Sequence, residues 1–360
     1  MSRTVQTDSS KKALDRPITP RSYRLCICLL VALLLGLLVL HGREAMLAGC
    51  QRPIELIVYG FSTQEEIFCE RIFSDFAATW KAKTGRDLII EGVFGPSGLL
   101  AEQINLGAPA DVAVVSNAQH INWLKRGYRV RQETQPVVIG STPMVIVTRP
   151  GNPAGISDFA DLAQQGLHLL HSQPLHSGAG DWSVLAEYGS AWLETGDREA
   201  AEEQLESIWR NVRFLGSSAR ATLTLFELGM GDALVTYEQD AHLALERGVA
   251  LEIVTPPRTI VAQRVAVIVD DNVTTAERPV AQAFINYLLS DEGQLTLNGS
   301  YLRPAGIDKG SLQEVARTFT VSDLGGWSTA YEEVLETLWQ GEIEPRLDLE
   351  STPELQGQGA

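Results

Sequence analysis

The hydrophobic and polar positions of this chain alternate in two rhythms. Short apolar runs with a period near two are followed by stretches with a period near 3.6, the sign of strands alternating with helices. Ile54-Glu-Leu-Ile-Val-Tyr59 reads as a strand, and Glu65–Lys83 reads as a helix with Phe68, Ile72, Phe76 and Trp80 spaced by four and Gly85 as its stop. A strand over Asp87–Val93, a helix over Gly98–Asn105, a strand over Asp111–Ser116 and a helix over Ala118–Arg126 follow. Val137–Thr148 is a long strand-like stretch interrupted by Gly140-Ser-Thr-Pro143, where the chain is expected to pass into a second lobe.

Beyond it the alternation repeats. Helices are expected over Asp158–Gln164, Asp181–Glu194, Glu199–Arg210, Ala221–Leu228 and Gln239–Glu246, with strands at Leu167–His171, Val212–Leu215, Ala233–Tyr237 and Leu251–Val254. Val261–Val269 reads as a strand returning to the first lobe, where helix Pro279–Leu297 packs; Trp327–Trp339 is a last helix and Gln340–Ala360 is polar. Such alternation predicts an α/β fold of two lobes, each a mostly parallel sheet flanked by helices, joined by two crossings around a cleft. The expected division is 53–142 plus 262–345 for lobe 1, 143–261 for lobe 2, and 346–360 as a tail.

The first 52 residues break the pattern. An uncharged apolar run over residues 25–40 follows Lys11, Lys12, Arg16, Arg21 and Arg24, the order of a secretory signal or anchor. The run is short for a membrane span. Just beyond it, Leu47-Ala-Gly-Cys50 resembles the lipobox of bacterial lipoproteins, in which Cys50 is lipidated. Lipidation, an uncleaved anchor and cleavage after Ala48 all place residues 51–360 in the periplasm, on the outer face of the cytoplasmic membrane.

Composition narrows the function. The 360 residues carry 29 Lys+Arg against 45 Asp+Glu. Residues 1–50 hold seven of the basic and three of the acidic side chains, which leaves 22 against 42, a charge of −20. So acidic a chain repels phosphate backbones and excludes nucleic acid as a partner. Cys26, Cys28 and Cys50 lie in the targeting segment, so only Cys69 remains, with neither a disulfide framework nor a Cys-based metal site; a small buried apolar role is expected for it. His168 and His171 sit three apart on an expected strand and point to opposite faces, so ordinary surface or half-buried histidines are expected and no metal is assigned. There is no Gly-x-Ser-x-Gly elbow, no phosphate loop and no Cys/His pair for nucleophilic catalysis. A binding protein is expected, without enzymatic activity or cofactor.

Three Ser/Gly/Ala loops precede expected helices: Phe94-Gly-Pro-Ser-Gly98, His176-Ser-Gly-Ala-Gly180 and Gly216-Ser-Ser-Ala-Arg220. Each offers free N–H groups and a hydroxyl at the positive end of a helix, an anion site if the loops converge and plain helix caps if they do not.

The chain further resembles the periplasmic sulfate/thiosulfate-binding proteins of ABC importers, a type II periplasmic-binding-protein family. Phe76-Ala-Ala-Thr-Trp-Lys-Ala-Lys-Thr-Gly85, Gly151-Asn-Pro153, Ser217-Ser-Ala-Arg220 and Gly231-Asp232 carry the resemblance, with Tyr287-Leu-Leu-Ser-Asp-Glu-Gly-Gln294, Tyr301-Leu-Arg-Pro304 and Gly325-Gly-Trp327 in the right order. It implies a clam-shell that closes on sulfate or thiosulfate with hydrogen-bond donors alone and docks on permease subunits. The matching site positions are Ser97, Ser177, Gly178, Ala179 (for a glycine), Ala219 with Arg220 beside it, Phe61 (for an aspartate) and Tyr237 (for a tryptophan). Pro96 replaces a glycine and removes an N–H, and Asp181 replaces an arginine. Sulfate only accepts hydrogen bonds at neutral pH, whereas phosphate keeps a proton that a carboxylate accepts. If Asp181 points inward, phosphate gains; if it faces solvent at its helix N-terminus, sulfate stands, and the solvent position is the expected one. The alternatives are another oxyanion such as molybdate, or a membrane-anchored oxyanion sensor or accessory protein.

Overall fold

A computed structural model describes residues 53–305 and 317–347. The targeting segment with Cys50, and the tail from 348 on, lie outside the described residues. From Ile54 onward the described residues belong to one compact unit.

The sheet is built from two parallel triplets joined by an antiparallel pair. On one side β1 (Ile54–Phe61) pairs in parallel with β2 (Leu88–Gly95) and β3 (Val112–Val115); on the other, β5 (Leu169–Ser172) pairs in parallel with β6 (Val212–Gly216) and β7 (Ala233–Tyr237). Between them run β4 (Val137–Thr148) and β9 (Arg258–Ile268), antiparallel to each other, with β9 antiparallel to β3 and β4 antiparallel to β7. Short strands β8 (Glu252–Val254), β10 (Arg303–Pro304) and β11 (Arg317–Phe319) pair with β4, β4 and β9.

The expected interruption at residues 140–143 takes a different form. β4 is one strand whose register shifts between Val138 and Gly140, and its partner changes after Pro143: residues 137–143 pair with β9, residues 144–148 with β7. Proline has no ladder donor, and here it sits where the ladder switches sides.

Most expected helices form. Residues 65–84 make α1, with a wide π turn over Phe68–Ile72. Then come α2 (Ser97–Asn105), α3 (Ala118–Arg126), α4 (Gly178–Thr195), α5 (Arg198–Trp209), α6 (Ala219–Glu227) and α7 (Glu238–Glu246). The helix expected over 279–297 is two, α8 (Arg278–Leu288) and α9 (Asp291–Gly299). Ser290 stops the first and caps the second, its hydroxyl accepting from Gly293 N–H at 3.2 Å. The stretch expected as helix 158–164 is a single tight turn, Phe159–Ala163, capped by Asp158.

The stripe of α1 is core: Phe68, Ile72, Phe76 and Trp80 are buried, and Phe76 meets Phe284 of α8 at 5.1 Å. Cys69, one step off that stripe, is exposed rather than buried, because helix geometry turns it away from the core. The final helix, residues 327–343, packs Trp339 on Trp209 of α5 at 5.2 Å. It therefore joins the core of the second triplet, unlike its expected place with residues 53–142.

His171 is fully buried, unlike the expected surface or half-buried residue, and approaches Glu187 of α4 at 2.6 Å; the other Glu187 oxygen accepts from the Trp209 indole at 2.8 Å. His168 is exposed beside Asp232. Glu187 thus ties β5, α4 and α5 together. Glu187→Ala strands two buried polar groups and is expected to lower unfolding stability by roughly 3–5 kcal/mol, with Glu187→Gln costing clearly less; urea unfolding checks both.

Candidate functional site

Every helix around the site starts at the carboxyl end of a parallel strand, where free N–H groups and the positive end of the helix dipole face outward from the sheet. β2 leads to Ser97 at the start of α2, β3 to Asn117 capping α3, and β5 to Ser177 preceding α4. On the same side β6 leads to Ser218 capping α6, and β7 ends at Tyr237, which precedes α7.

Two of the three loops meet directly. Gly98 N–H donates to the His176 carbonyl at 2.9 Å, joining the 94–98 loop to the 176–180 loop. The approach needs glycine, since a Cβ at 98 would stand 2.6–2.7 Å from the Leu175 and His176 carbonyl oxygens. Ser97 Oγ accepts from Ser116 N–H at 2.9 Å. Gly178 lies against Ser116, whose Oγ a Cβ at 178 would meet at 1.7 Å. The buried first turn of α4 presents the N–H groups of Gly178 and Ala179, which by helix geometry have no partner within the helix. Ala219, at the start of the third loop's helix, joins through its neighbour. Arg220 reaches across to the Ser62 carbonyl at 3.4 Å and to Glu66 at 3.1 Å, on the turn that follows Phe61. Arg220 is thus occupied by an ion pair.

Phe61 and Tyr237 are buried and face each other across one residue that the loop motifs do not contain. The guanidinium of Arg264 in β9 lies 3.5 Å from the Tyr237 ring centroid and 4.5 Å from that of Phe61. Arg264 is fully buried, and its Nε, Nη1 and Nη2 have no hydrogen-bond partner; neither do the Tyr237 hydroxyl, Ser116 Oγ, Thr63 Oγ1 or the two Asp240 oxygens. Of these, Thr63 and Asp240 also line a cavity of about 70 Å³, together with Arg220 and Arg247. Burial pushes the Tyr237 phenol up to about 12, with the Arg264 charge opposing, so it remains a protonated donor. Burial likewise raises Asp240 to about 6, against the pull of Arg264.

Asp181 overturns the expectation of a solvent-facing carboxylate. It is fully buried, its Oδ1 accepting Leu175 N–H at 2.8 Å and its Oδ2 the Asn117 side-chain amide at 2.9 Å. The turn through Leu175 folds the first turn of α4 against α3, so a position usually open to water is closed by tertiary packing. Its oxygens are taken by donors. Burial raises Asp181 to about 7, and the same burial lowers neighbouring His120, 3.6 Å away, to about 3. Among the described residues no cluster of His, Cys, Asp and Glu is suited to a metal ion.

A model of the bacterial extracellular solute-binding proteins matches residues 69–301. The sulfate-binding protein of Escherichia coli is 31% identical over 313 residues, covering 83% of this chain and 94% of that protein. The chain belongs to the bacterial extracellular solute-binding proteins. A thiosulfate-binding protein of Pseudomonas aeruginosa is 32% identical over 64% of this chain and 72% of its own length. In fold, this solute-binding protein is similar to the sulfate-binding protein SubI of Mycobacterium tuberculosis, with a TM-score of 0.69, 23% identity, and coverage of 79% of this chain and 100% of that one. The expected two-lobed α/β architecture is therefore the right one, and the protein is a binding component rather than an enzyme. It is an exported protein; among the described residues no helix is long and apolar enough to cross a membrane.

Arg264, Ser116 and Thr63 escaped the loop motifs. The one signal for Arg264 was a lone charged residue inside Val261-Ala-Gln-Arg-Val-Ala-Val-Ile268, a mostly apolar strand; Ser116 and Thr63 gave none.

Asp181 sets a pH test. Its folded pKa is raised, so its share of stability is complete below the unfolded value near 3.9 and is lost as pH rises towards about 7. Asp181→Asn is expected to gain stability over wild type as pH rises from 5 to 8. Melting temperatures of both proteins across that range check it, and a pH-independent difference would count against the buried carboxyl.

Proposed function

We propose that this protein captures sulfate or thiosulfate outside the cytoplasmic membrane and delivers it to the permease of an ABC importer. Residues 53–142 with 262–305, and residues 143–261 with 317–347, act as the two lobes, closing over a dianion held by Ser97, Ser177, Gly178, Ala179, Ala219 and Tyr237 next to Phe61. The observation that carries the reading is the convergence of buried donors, the Tyr237 and Ser116 hydroxyls and the first turn of α4, at a point where Asp181 is already occupied by Leu175 and Asn117. A ligand that only accepts hydrogen bonds suits such a site. The named relatives bind sulfate and thiosulfate, which supports the same ligand class here. Closure follows from differential affinity, since the ligand touches both lobes only when they meet. Attachment to the membrane through Cys50 or the apolar run belongs to the same reading.

Asp240, whose buried oxygens lack partners, favours one second reading, a protonated oxyanion such as phosphate. Thermal unfolding of ligand-free protein with sulfate, thiosulfate, phosphate and molybdate in turn separates the two. At about 100 times its dissociation constant, the ligand should add about 2.7 kcal/mol of stability. A shift with sulfate or thiosulfate supports the main reading, a shift with phosphate alone the second, and no shift with any oxyanion rejects both. Tyr237→Phe, which removes one neutral donor, is expected to weaken binding of the responding anion by about tenfold, measured by calorimetry.

A further inference from the structure

We propose that Arg264 is the charged anchor of the oxyanion site, so that the ligand is a tetrahedral dianion gripped by a guanidinium as well as by neutral donors. This rests on the oxyanion reading above and deepens it, because the resemblance implies a site of donors with no counter-charge in contact.

The physical argument begins with burial. Arg264 is 0% exposed, and none of its three guanidinium nitrogens has a hydrogen-bond partner. A guanidinium does not shed its proton in a protein, so the charge persists, and a buried charge without a partner is strongly unfavourable. Such a cost is retained where the charge meets an anion during function. Asp240 and the rings of Phe61 and Tyr237 offset that charge in part, with Asp240 also drawn to Arg220 and Arg247, but none of them gives the guanidinium nitrogens a hydrogen bond. Arg220 and Arg247 have their own partners in Glu66 and Glu227.

The position fits the role. Val265 of β9 pairs with Val115 of β3, so one further step of the register puts Arg264 opposite Ser116, on the same face of the sheet. Ser116 lies against Gly178 and binds Ser97, which ties Arg264 to both loops that meet at the site. Its planar group is stacked between the Tyr237 and Phe61 rings, and this leaves the N–H-bearing edge to engage two oxygens of a tetrahedral anion.

Calorimetry of sulfate binding and melting of the ligand-free, full-length protein test this together. Arg264→Met is expected to weaken sulfate binding about 10- to 100-fold while the ligand-free variant melts no lower than wild type, since a buried charge whose N–H groups lack acceptors has gone. Unchanged affinity overturns the proposal. Should the ligand-free variant melt lower or not fold, wild type decides by NMR. The Arg264 Nε–Hε signal, assigned by its absence from Arg264→Lys, is expected to shift on sulfate addition, and an unmoved signal overturns the proposal. A wild type that binds no oxyanion at all defeats the underlying reading instead, so the two failures are distinguishable.

Discussion

A helix that begins where a parallel strand ends leaves its first N–H groups without partners inside the helix, and the architecture of this protein depends on repeating that arrangement on both sides of one antiparallel pair. β4 and β9 hold two parallel triplets with their carboxyl ends towards a common region. The donors of α2 and α4 then converge without any long-range wire, because each is fixed by its own strand. Glycine at 98 and 178 lets the two sides approach to backbone distance.

Charge is handled in the opposite way to the surface. The protein as a whole is acidic, so an anion reaches the site against the overall field and must be held by local groups. In the proposed site those groups are helix dipoles, hydroxyls and one guanidinium. The acidic side chains around them are either satisfied, as Asp181 is by Leu175 and Asn117, or set among arginines, as Asp240 is. Asp181 is held within the protein by these two donors, so its burial has a structural reason of its own.

Set against the resemblance, the departures that bear on the candidate site sit at a few places, among them phenylalanine at 61, tyrosine at 237 and aspartate at 181. Two of them belong together in space, since Arg264 fills the gap between the rings of Phe61 and Tyr237. Three positions far apart in sequence thus form one stack.

The alternation of strand and helix, the buried stripe of α1, and the loops before α2, α4 and α6 were legible in the sequence, because periodicity and capping chemistry act over a few residues. What the sequence left open was which faces meet. Asp181 looks like an ordinary first-turn acid, yet the Leu175 turn closes it against α3. Pro143 looks like a break, yet β4 passes through it by changing partner. The Trp327 helix follows the return of β9 in sequence but packs on the far core through Trp339 and Trp209. Arg264 is a single letter in an apolar run, and only the pairing of β9 with β3, together with the two rings around it, gives it a place at the site. Local pattern decides the elements. Burial, register and the meeting of distant side chains belong to the tertiary structure, because they depend on residues that no short window contains.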